Sequence, residues 1–65
     1  MLPLQDLLPG DLISDGDEQC LVLSVKREYG WAHDRKLTIL LNGRVTYRIY
    51  HRHRWFSVWQ REGET

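Results

Sequence analysis

Between positions 44 and 61 the chain gathers Arg44, Arg48, Tyr50, His51, Arg52, His53, Arg54, Trp55, Trp59 and Arg61. Cations neutralise phosphates and aromatic rings stack on bases, so this mixture carries the chemistry of a nucleic-acid contact. Arg44, Arg48, His51, Arg52 and Arg54 are the candidate binding residues for that function. A competing account needs no ligand. The arginines of a solvated face pair with Asp15, Asp17 or Glu18, and Trp55 or Trp59 covers one end of the fold. The formal net charge of +0 weakens the electrostatic footprint that nucleic-acid binding requires.

His51 and His53 stand two residues apart, the spacing that puts two imidazoles on one face of a strand. A metal could use such a pair, with His33 or Cys20 further away, but no third donor lies nearby in sequence and the usual four-ligand spacing is missing. No metal and no cofactor is therefore expected. Catalysis is not expected either. Cys20 lies inside an apolar run, where a cysteine packs as a small hydrophobe. Asp15, Asp17 and Glu18 lack the calcium-loop spacing, and no glycine-rich loop is present to cradle a phosphate. Tyr29, Trp31, Trp55 and Trp59 form the last candidate group, since aromatic anchors dominate many protein interfaces. Their competing role is to complete a core too small to close with aliphatics alone.

Turn chemistry and alternation define the elements that must position these residues. Leu2 to Leu8 contains Pro3 and is too short and interrupted for a helix. Leu8-Pro9-Gly10-Asp11 has the residues of a type II turn. A short strand over Asp11–Ser14 follows, and the polar turn Asp15-Gly16-Asp17 ends it. Gln19 to Arg27 is the clearest long strand, with Cys20, Val22 and Ser24 on one face and Leu21, Leu23 and Val25 on the other. Glu28 to Arg35 loses periodicity and should be an exposed loop. Lys36 to Tyr50 is a hairpin around Asn42-Gly43.

Two registers compete in this hairpin. A two-residue Asn42-Gly43 loop pairs Leu40 with Val45 and splits the apolar residues between two faces. A three-residue loop with Gly43 as a left-handed bulge pairs Ile39 with Val45 and Leu37 with Tyr47, and Ile49 continues one wholly apolar face. Burial favours the bulged form, with Arg44 and Arg48 toward solvent. Tyr50 to Arg54 is a tight turn. Trp55 to Gln60 is the last strand, with Phe56 and Val58 inward and Trp55 and Trp59 outward. Arg61 to Thr65 is expected to fray.

A chain of 65 residues makes one domain over positions 1–65, with its core over about 8–60, and a domain this small sits near marginal stability. The first 25 residues hold five acids and no lysine or arginine, whereas all nine basic residues follow. This asymmetry either builds an acidic and a basic face or cancels as the halves interleave. A single cysteine cannot form an internal disulfide, which fits a reducing compartment. No apolar run approaches the roughly 20 residues of a membrane span. The opening Met1-Leu2-Pro3-Leu4 lacks the basic start of a signal peptide, so a cytoplasmic location is expected.

Five short strands, a long loop after the second, a hairpin, a one-turn link and a final strand follow the order of an SH3-like barrel. Pro9-Gly10-Asp11-Leu12-Ile13 and Leu40-Leu41-Asn42-Gly43-Arg44-Val45 carry the likeness. Over about residues 8 to 60 the chain resembles small SH3-like proteins of tailed bacteriophages and related bacterial barrels. The stretch Tyr50-His51-Arg52-His53-Arg54-Trp55 is more basic and aromatic than the link of that family. The resemblance implies an all-β, five-stranded SH3-like barrel with no catalytic residue to carry over. The exposed-aromatic loop, the small size and this resemblance together point to an interaction module, such as a phage accessory or virion protein that docks on a protein partner or self-assembles, in the host cytoplasm or the virion. Nucleic-acid binding through the Arg44–Arg61 cluster is the alternative function.

Overall fold

Six strands follow one another along residues 1–61, the part that the computed structural model describes. They are β1 (Leu2–Pro3), β2 (Leu12–Asp15), β3 (Glu18–Lys26), β4 (Asp34–Leu41), β5 (Arg44–His51) and β6 (Trp55–Gln60). A 3₁₀ turn over Leu4–Asp6 is the sole helical element among them. All pairings are antiparallel and build one sheet in the order β1-β6-β2-β3-β4-β5. The domain is all-β, as the alternation implies, but the sheet has six strands and is not closed by strand pairing. The added strand comes from Leu2–Pro3, which pairs with Phe56 and Trp55.

The core lies on one face of this sheet. Leu4, Leu7, Ile13, Cys20, Val22, Leu37, Ile39 and Phe56 are buried there, with Leu2, Val25, Leu41, Tyr50 and Val58 packed against them. Leu4 reaches it because its N–H donates to Arg54 O, and the Gln5 N–H to Arg52 O, which ties the 3₁₀ turn to the link before β6. The Pro9-Gly10 turn forms as its residues dictate: Gly10 has φ +96° and the Asp11 N–H donates to Leu8 O at 3.1 Å. In β3 one expectation fails. The register shifts between Val22 and Ser24, and this bulge carries Val25 onto the core side, opposite Leu37.

The hairpin register also differs from the expected one. Leu40 stands opposite Val45 and Leu41 opposite Arg44, so the loop is the two-residue form. Asn42 and Gly43 both adopt left-handed φ, +52° and +78°, the signature of a type I′ turn, whose twist matches that of the strands. Leu37 and Ile39 are fully buried, but Val45, Tyr47 and Ile49 turn outward with 69%, 61% and 42% of their surface exposed. Arg48, expected outside, points inward.

Electrostatics explains why burial of apolar surface did not decide. The inner face of β5 looks onto the end of β2, where the carboxyl group of Asp15 is almost buried. An unpartnered charge there would cost several kcal/mol. The observed register brings Arg48 and Tyr50 inward to meet it. Arg48 Nη1 donates to Asp15 Oδ2 at 2.7 Å, Tyr50 Oη donates to the same oxygen at 2.7 Å, and Arg54 Nη2 donates to Oδ1 at 3.1 Å. Arg48 Nη2 also reaches Glu18 at 3.0 Å. These side chains join β5 to the β2–β3 corner where no backbone ladder does.

Asp11, fully buried, forms a second polar anchor. It accepts from the Leu8 N–H at 2.8 Å and from Arg61 Nε and Nη2 at 3.0 Å each. Arg61 is thus pinned rather than frayed, and it pulls the end of β6 onto the first turn. The remaining tail positions, 62–65, lie outside the described residues. The interleaving of early acids with late arginines also answers the charge question: Asp11, Asp15 and Glu18 are each paired with a cation from the second half of the chain.

Candidate docking surface

Residues directly opposite in an antiparallel pair share a face of the sheet. The registers therefore place Leu12, Leu21, Leu40 and Val45 in one row across β2, β3, β4 and β5, on the face away from the core. Leu21 and Leu40 are half-buried, and Leu12 and Val45 are exposed. Beside this row, Tyr47 stands opposite Thr38 and Ile49 opposite Lys36. The Lys36 ammonium sits 4.5 Å from the Tyr47 ring centre, a cation–π contact along the same face. On the other flank Trp59 Nε1 donates to Ser14 Oγ, and Trp55 and Trp59 are both exposed. One side of the sheet thus shows a band of apolar and aromatic side chains to solvent.

The expected aromatic anchors split. Trp55 and Trp59 border this band. Tyr29 is fully exposed and Trp31 half-buried in the loop between β3 and β4, where residues 27–32 line a shallow open hollow. The Trp31 N–H closes that loop onto Glu28 O at 3.1 Å. Leu12, Leu40, Val45, Tyr47 and Ile49 were missed as surface residues. The signal was present in the two-residue register, which splits the apolar residues between faces.

The basic candidates are dispersed by their partners. Arg48 is committed to Asp15 and Glu18, and Arg54 to Asp15, with its guanidinium 4.1 Å from the Tyr50 ring centre. Arg44 stays exposed at the hairpin end, and Arg52 is half-buried, its Nε buried without a hydrogen-bond partner among the described residues. His51 stacks on His33 at 5.9 Å and meets His53 edge-on at 5.3 Å, while its Nδ1 accepts the His53 N–H. Among the described residues no group of three His, Cys, Asp or Glu side chains is placed to hold a metal ion.

Burial by itself would push the Asp15 carboxyl group up. The hydrogen bonds from Tyr50 and Arg48 and the charges of Arg54 and Arg48 outweigh it and hold Asp15 below the ordinary aspartate value. Asp11 is likewise raised by burial but lowered on balance by Arg61 and the Leu8 N–H. Burial, ahead of the Asp15 hydrogen bond, raises the Tyr50 hydroxyl. Cys20 is raised chiefly by burial, which keeps it a thiol. No helix among the described residues is long and apolar enough to cross a membrane. No protein-family model matches the chain, and no curated protein or solved structure matches it.

Proposed function

We propose that the chain is an interaction module of the SH3-like kind, an open barrel that docks on a protein partner or self-assembles through the outward face of its sheet. The observation that carries this reading is the row Leu12, Leu21, Leu40 and Val45, continued by Tyr47 and Ile49. Apolar residues grouped on a surface mark interaction sites more often than chance exposure does. The order of the strands and the side-chain seam from β5 to Asp15 support the barrel reading. The phage setting, as an accessory or virion protein in the host cytoplasm or the virion, follows the resemblance of the two turn motifs.

Nucleic-acid binding has less support, because Arg48 and Arg54 are already neutralised by carboxylates. Panning a random peptide library on the immobilised domain tests the two functions together with a salt titration against single- and double-stranded probes. Peptides that bind through the sheet face should be lost from Leu40→Asp and Val45→Asp and kept by Arg44→Ala and Arg52→Ala. The reading falls if no peptide is enriched, or if single-strand binding at low salt disappears in the arginine variants alone.

A further inference from the structure

The two edges of the sheet are unlike. β1 is two residues long and contains Pro3, which makes a blunt edge. β5 is eight residues long, ends the sheet on the other side and contains no proline. The turn fixes which of its backbone groups are unpaired. Leu41 and Arg44 close a two-residue hairpin and exchange both hydrogen bonds, and the pattern then alternates. Arg44, Thr46, Arg48 and Tyr50 bond to β4. The N–H and C=O groups of Val45, Tyr47 and Ile49 point away from it, along an edge that no other described strand pairs with. The same three residues carry the exposed apolar side chains of β5.

We infer that β5 pairs antiparallel with β5 of a second copy, with Tyr47 opposite the partner's Tyr47 across a two-fold axis. This rests on the docking reading above and names the partner as the chain itself. Apolar matching selects the register. A continuous ladder must set the outward residues of one strand opposite those of the other. With Tyr47 facing its own copy, Val45 meets Ile49 in both directions, and every outward apolar side chain gains an apolar neighbour. The inward pairs are then Arg44 with Tyr50 and Thr46 with Arg48. Sliding two residues one way sets Ile49 against Gly43, and two the other way sets Val45 against His51. Each neighbouring register thus leaves an outward apolar side chain of β5 without an apolar neighbour, and both are disfavoured. A larger slip sets Val45 or Tyr47 against a glycine or a histidine.

Sedimentation equilibrium and amide exchange test the pairing. The wild-type chain should sediment at twice its 7.8 kDa mass. The amides of Val45, Tyr47 and Ile49 should exchange slowly in the dimer and quickly on dilution. Tyr47→Pro removes an edge donor without removing a bond to β4, and it should give a folded monomer. Should that variant lose its β-sheet circular dichroism, a charge pair replaces it. Val45→Lys with Ile49→Lys sets lysine against lysine and should also give the monomer, whereas Val45→Glu with Ile49→Lys should restore the dimer. A wild-type monomer overturns the inference, and peptide binding on the sheet face would still stand. A dimer indifferent to these substitutions, or equal behaviour of the two charge variants, overturns it as well.

Discussion

Asp15 and Arg48 are 33 residues apart in sequence, yet Arg48 Nη1 lies 2.7 Å from Asp15 Oδ2. Their contact fixes the roll of β5, sending Arg48 and Tyr50 inward and Val45, Tyr47 and Ile49 outward. One buried carboxylate thus sets both the internal seam and the exposed band.

Removing that carboxylate should be the most damaging polar change. Asp15→Ala removes the shared acceptor of Tyr50 and Arg54 and leaves Arg48 with Glu18 alone, and a cost of about 3 kcal/mol is expected in chemical denaturation. Arg48→Met leaves Asp15 held by Tyr50 and Arg54 and should cost less, about 1–2 kcal/mol. A double-mutant cycle over the pair should show coupling, and additive losses would contradict the seam.

Acid should weaken the fold through Asp11 and Asp15. Both carboxyl groups sit lower in the folded state than the ordinary value of 3.8. Their contribution is complete above that value and is lost as the pH falls toward the folded values. Thermal melts between neutral pH and pH 2 should show the decline, with a shallower acid limb for Asp15→Asn and Asp11→Asn.

The hairpin register predicts unequal alanine effects on paired strands. Leu37→Ala and Ile39→Ala should each cost about 3 kcal/mol, as buried large-to-small changes do. Val45→Ala and Tyr47→Ala, measured in dilute protein, should each cost under about 1 kcal/mol. Comparable losses at Ile39 and Val45 would favour the bulged register instead.

Gly43 is open to a direct check of the turn. A Cβ there meets nothing within 4 Å, so only its φ of +78° opposes a side chain. Gly43→Ala should cost about 1 kcal/mol by denaturation. A neutral result would mean that the turn is not type I′.

Cys20 offers a probe of global opening. It is buried and held as a thiol, so an aromatic disulfide reagent should react with it only at the unfolding rate. Immediate labelling of the native protein would show that the core around Ile13 and Ile39 is not sealed.

Much of the fold was legible in the residues. Alternation marked β2, β3, the hairpin and β6, and it set Phe56 and Val58 inward and Trp55 and Trp59 outward. Three features escaped. The Leu23 bulge that turns Val25 inward leaves no glycine or proline as a mark. The two-residue β1 exists only through its pairing with Phe56 and Trp55. Apolar burial alone favours the other hairpin register, because Asp15, which decides it, lies 33 residues away. Of the candidate sites, Trp55 and Trp59 border the exposed band. In sequence the arginines look like one patch, because their carboxylate partners lie in the other half of the chain.

Salt links stand between β5 and the corner at Asp15 where a closed barrel would have peptide-to-peptide bonds. Opening of the β4–β5 hairpin on its pairing with β3 would break these links and lift Leu37 and Ile39 from the core, yet leave every strand beside its neighbours. Such a door gives water a cheaper route to Leu37 and Ile39 than full unfolding does. Asp15 at the centre of these links is almost buried, so salt screens them weakly, and protonation of the carboxylate is what should loosen the hairpin.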